Sequence, residues 1–71
     1  MSDLLSQAVN EWNRLVRRVE ESAEIGWTGF KGLTWELFAK NKTPAQTLSD
    51  IKAMAADFER KEAEYRRSQR A

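Results

Sequence analysis

The chain has 71 residues, 41% of them hydrophobic and 32% charged, and its 12 Lys+Arg against 11 Asp+Glu give a formal charge of +1. One domain of 8.2 kDa can bury about 62% of its unfolded surface, a thin core that usually needs a disulfide, a metal, a partner or dense helix packing. Cys and His are both absent, which excludes disulfides, thiolate nucleophiles, Cys/His zinc sites and His-based acid–base catalysis, and the charge balance is far from that of a strongly basic nucleic-acid binder.

A composition with one Pro and this share of apolar residues belongs to an ordered chain. Met1-Ser2-Asp3-Leu4-Leu5 lacks the basic and apolar regions of a signal peptide, and no stretch approaches the ~20 apolar residues of a membrane span. A cytoplasmic location is expected, with no cofactor.

The first element is a helix over about 3–24. No Gly or Pro interrupts it, and Leu5, Ala8, Val9, Trp12, Leu15, Val16, Val19 and Ala23 fall within an arc of about 100°. Ser2 is the expected N-cap, with Asp3 favourable in the first turn.

Residues 25–42 hold all three glycines, Gly26, Gly29 and Gly32, together with Trp27, Phe30, Trp35 and Phe38. Wheel phase decides whether the first helix continues through them. On one wheel of ~100° per residue the apolar stripe before Gly26 and the one after it lie some 160° apart, and supercoil drift of ~20° per heptad cannot reconcile them. A break is therefore expected at Gly26, in left-handed conformation, followed by a short helix over about 30–40. On that helix Trp35 falls at about 80°, off the stripe made by its neighbours, and is expected to point away from the core.

The third element is a helix over about 44–67. Thr43 can cap it, Pro44 suits its first position and Gln46 can close a capping box. Thr47, Leu48, Ile51, Met54, Ala55, Phe58 and Tyr65 share one side.

The fold class is thus all-α: two long amphipathic helices joined by a Gly/aromatic-rich segment with a short helix, one domain over 1–71. Seven-residue steps relate Leu5, Trp12 and Val19, and again Ile51, Phe58 and Tyr65, spacing that suits lengthwise helix pairing. A short second helix is expected to leave part of both long stripes bare. These six residues are accordingly expected to carry self-association, with helices 1 and 3 of two chains forming a dimeric helical bundle. The architecture that comes to mind is a helical-hairpin dimer.

Enzyme signatures are missing. Gly26-x-x-Gly29-x-x-Gly32 follows a helix and lacks the Lys-Ser/Thr ending of a phosphate loop. Glu20 and Glu24 stand one turn apart on the polar face, where pairing with solvent and Arg17 explains them better than a metal does. The protein is therefore read as no enzyme.

Large aromatics anchor binding hot spots, so Trp27, Phe30, Lys31, Trp35 and Phe38 form the expected partner-binding patch. The function expected is that of a small helical interaction protein, a phage- or plasmid-type accessory factor or adaptor that binds and regulates or inhibits another protein. A basic C-terminal end supplies the alternative, a dimeric nucleic-acid-binding regulator. Five cations against Glu62 and Glu64 make the last twelve residues net +3, and Arg66, Arg67 and Arg70 are the expected phosphate contacts, although cations there also complement the helix dipole. Membrane-surface binding through Lys31, Lys40, Lys42 and the aromatics is the poorest fit, because Glu36 opposes it.

Overall fold

The computed structural model describes residues 3–30 and 32–69, and they are helical with long connections. Helix α1 spans Leu4–Glu21, α2 spans Trp35–Ala39 and α3 spans Pro44–Gln69; a single 3₁₀ turn, Ala23–Ile25, follows α1. The all-α class and the two long helices with a short one between them are as the sequence indicates.

The N-cap of α1 is Asp3, and Ser2, the expected cap, lies outside the described residues. The extended backbone of Asp3 turns the carboxylate onto the helix start, where it accepts from the Leu5 N–H at 3.0 Å and the Ser6 hydroxyl at 3.1 Å. The last turn tightens into the 3₁₀ turn, so the regular helix stops at Glu21, short of 24. The expected break at Gly26 is present: its φ is 74° and its N–H closes the turn onto the Ala23 carbonyl at 3.1 Å.

The second helix is much shorter than 30–40. Gly32 has φ 76°, a left-handed conformation that cannot propagate a helix, and it sits in a turn closed by the Leu33 N–H on the Phe30 carbonyl at 2.8 Å. Only after Thr34 accepts from the Leu37 N–H at 3.2 Å does α2 begin. Thr43 caps α3 through the Gln46 N–H at 3.1 Å. The capping box stays half made, because the Gln46 side chain donates to Asp50 at 2.8 Å instead of reaching back.

The two long helices run in the same direction. Arg18 pairs with Glu59 at 3.0 Å and Glu62 at 3.4 Å, Leu15 clusters with Phe58, and Leu4 lines one hollow with Ala45 and Leu48. Neighbours along the pair therefore keep a sequence offset of 41–44 from end to end. A hairpin would give a falling offset, so the helical-hairpin expectation is corrected. Parallel neighbours need a return path, and residues 22–43 supply it as a strap running back along the groove between α1 and α3.

The strap explains the concentration of aromatics. An irregular backbone has no continuous apolar face, so it must fill the groove with large single side chains. Trp27 meets Phe58 at 5.6 Å between ring centroids and Phe30 at 5.3 Å. Phe30, Trp35 and Phe38 meet Trp12 at 4.6, 5.7 and 4.9 Å. Two buried clusters result, Ala8–Trp12–Phe38–Leu48–Ile51 and Leu15–Ile25–Phe58, with Phe30 and Met54 packed against both. Among the described residues no buried side-chain nitrogen or oxygen lacks a partner; buried Thr47 donates to the Thr43 carbonyl at 2.9 Å.

Two aspartates of α3 pin the strap at its ends. The Trp27 indole N–H donates to Asp57 at 2.8 Å, and Lys42, lying over the Phe38 ring, reaches Asp50 at 2.9 Å. The Trp27 hydrogen bond, helped by Arg60, lowers the Asp57 pKa below its ordinary 3.8, and Lys42, helped by Gln46, does the same for Asp50. A carboxyl with a depressed folded-state pKa contributes stability above its unfolded value that is lost as pH falls through the folded one. Thermal melts should therefore hold steady down to about pH 4 and decline below it, and the double variant D50N/D57N should show a shallower acid decline. An equally steep decline in the variant would place the acid sensitivity elsewhere.

The molecule is elongated. Its radius of gyration is 13.4 Å, against roughly 11 Å for a compact domain of this length. Its accessible surface is 5357 Å², against roughly 4,500 Å² from the size scaling of monomers.

Candidate interaction surface

The aromatics read as a partner-binding patch are largely used inside the fold. Phe38 is buried, and Trp27, Phe30 and Trp35 are half-buried against the two clusters. Trp35 does not point away from the core: it packs edge-on against Trp12. Its wheel position presupposes a helix running into it from residue 30, whereas Phe30 and Gly32 lie in a turn and α2 starts only at Trp35. Lys31 lies outside the described residues.

The six positions read as self-associating are divided. Ile51 and Phe58 are fully buried and Trp12 is nearly so, all within the chain's own core. Val19 and Tyr65 pack beside Leu15, Ile25 and Phe58. Only Leu5, 48% exposed, is free. The reason is again the strap: not α2 alone but the whole segment from Ile25 to Phe38 covers the two stripes.

Among the described residues, one apolar groove left open lies on the flank where α1 meets the strap. It encloses about 320 Å³ and is lined by Val16, Val19, Phe30, Leu33 and Trp35, with Glu20 its one charged residue among those described. Leu33 on its rim is 38% exposed, and Leu37 on α2 is 57% exposed. Helix α1 contributes Val16 because its apolar arc is wider than the surface α3 and the strap can cover. The strap contributes Leu33 because the turn at Gly32 lifts that side chain onto the outer side. A helix over 30–40 would place both leucines on its buried stripe; the left-handed glycine at 32 is the local signal that the stripe stops.

Several charged side chains elsewhere pair with one another. Arg18 bridges Glu59 and Glu62 and lies over the Phe58 ring at 5.3 Å. Arg66 pairs with the same Glu62 at 3.4 Å, so of the expected phosphate contacts Arg66 is already engaged, Arg67 is exposed on the last turn of α3 and Arg70 lies outside the described residues. Glu20 belongs to α1 and Glu24 to the 3₁₀ turn, and among the described residues no group of three or more acidic side chains is placed to hold a metal ion. No described helix is long and apolar enough to cross a membrane.

Compared with protein families, curated proteins and solved structures, the chain matches none.

Proposed function

We propose that this chain is a small, non-enzymatic helical protein that works by binding another protein, which it regulates or inhibits as an accessory factor or adaptor, through the flank formed by α1 and the strap. The observation that supports this reading is the open apolar groove between Val16, Val19, Leu33 and Trp35, with a volume of about 320 Å³ and an exposed leucine on its rim. Concave apolar surface with few charges is the usual form of a recognition site. A cytoplasmic location is part of the proposal.

Leu33 is the position to test, because it belongs to the face and little to the core. A photoreactive side chain at position 33 of the full chain should cross-link one discrete foreign polypeptide in cells that naturally produce it. Added wild-type protein should compete the adduct away and L33D should not. Absence of any foreign adduct would remove the reading.

A further inference from the structure

We propose that the strap is a hinged gate latched by Trp27. Residues 27–40 lift off as one unit while α1 and α3 stay paired, and the apolar groove exists only while the latch is closed.

Left-handed residues bound this unit, Gly26 with φ 74° and Asn41 with φ 61°. Its backbone hydrogen bonds among the described residues are all local: Leu33 donates to Phe30 at 2.8 Å, Phe38 to Thr34 at 2.9 Å and Lys42 to Ala39 at 3.2 Å. None of them joins the strap to a long helix, so the strap can leave without breaking the ladder of either. What holds it is side chains. Phe30, Trp35 and Phe38 rest on Trp12 of α1, and Trp27 and Lys42 reach Asp57 and Asp50 of α3. The long helices need no intermediary: they lie directly against each other, and Arg18 bridges them through Glu59 and Glu62.

The seating of Trp27 sets it apart from the other rings. A Cβ on Gly29 would run into its indole, so the ring folds back over the strap's own backbone where a side chain is missing. From there its N–H donates to Asp57 at 2.8 Å, a carboxylate that Arg60 also pairs with. The ring meets Phe58 and Phe30 edge-on at 5.6 and 5.3 Å. Trp27 does not line the groove, but Phe30 does, and Phe30 packs 4.6 Å from Trp12. Closing the latch therefore sets Phe30, and with it Leu33 and Trp35, against the groove floor of Val16 and Val19. Control of the face thus lies outside the face itself.

Native-state hydrogen exchange of the full chain, read amide by amide in increasing urea, tests the gate. In the wild type the Leu33, Phe38 and Lys42 N–H groups should share one opening with a shallow urea slope. They should exchange more than about tenfold faster than the core amides of α1 and α3, and join them only near the global transition. Gly29 has a φ outside the left-handed region, so G29A displaces the indole without straining the backbone. It should speed all three amides by the same factor, more than about tenfold. A response at Leu33 alone would reduce the latch to a local turn, and strap amides that follow the core at every urea concentration would mean that no separate unit exists; either result overturns the proposal. Should G29A fail to fold, D57A removes the acceptor of the indole N–H and should speed the same three amides together by a smaller factor. A change at one of them, or at none, overturns it equally. No partner enters the measurement, so the gate can fail while the proposed function stands, and the reverse.

Discussion

Phe58→Ala should leave the protein at the edge of unfolding at 25 °C. Phe58 is fully buried and is the residue on which both halves of the lower core close: Leu15 of α1, Ile25 of the 3₁₀ turn and the edge of Trp27 all meet it. Arg18 lies over its ring while pairing with two glutamates, so the ring also seats the ion pairs between the long helices. Truncating a buried Phe to Ala costs about 3–5 kcal/mol, because transfer free energy is lost and a cavity is left that a small core cannot collapse around. A chain of this length has roughly 4–10 kcal/mol in total. Urea titration followed by helical circular dichroism should place the variant's midpoint near zero denaturant. A loss below about 1 kcal/mol would mean that Phe58 is not the keystone described.

Trp12→Ala should cost a similar amount, about 3–5 kcal/mol, but by a different route. Its indole is the post to which the strap is tied, touching Phe30, Trp35 and Phe38 within 6 Å. Without it the parallel helices keep Leu15, Ile51 and Phe58 between them, while the middle of the strap loses its main anchor and holds chiefly through its two ends, Ile25 and Trp27 at Phe58 and Asp57, and Phe38 and Lys42 at Ile51 and Asp50. Hydrogen exchange should therefore show protection lost first over residues 26–42 and later in α3. Uniform loss across the chain would contradict the division of labour between the two clusters. Trp35→Ala should be milder, since Trp35 is half-buried and touches the post from one side only.

These effects separate the features that local chemistry determines from those it does not. The apolar arc of α1, the start of α3 at Thr43-Pro44 and the break at Gly26 are properties of short windows, and each stands where residue type and spacing put it. Cap details differ by one residue or one side chain, Asp3 for Ser2 and Gln46 toward Asp50, because neighbouring polar groups compete for the same few donors. The reach of α2 and the orientation of Trp35 failed together: a wheel assigns directions only where a helix exists, and the left-handed Gly32 ends that premise.

The proposed binding face was legible in part. The neighbourhood of the strap was singled out for its aromatics, yet those rings became the filling of the core, and the exposed surface fell to Val16, Leu33 and Leu37. No count of aromatics distinguishes a hot spot from a groove-filling strap, since both call for large flat side chains.

By itself the sequence determined that this protein is built from two long amphipathic helices with a glycine break between them, and that it has no cysteine or histidine chemistry. Only the tertiary structure decided that the long helices lie parallel. Helix periodicity carries the direction of each side chain about its own axis, and it is silent on whether the next helix runs up or down. That choice made the connecting segment a strap, drew its aromatics inward, and left one flank of α1 open.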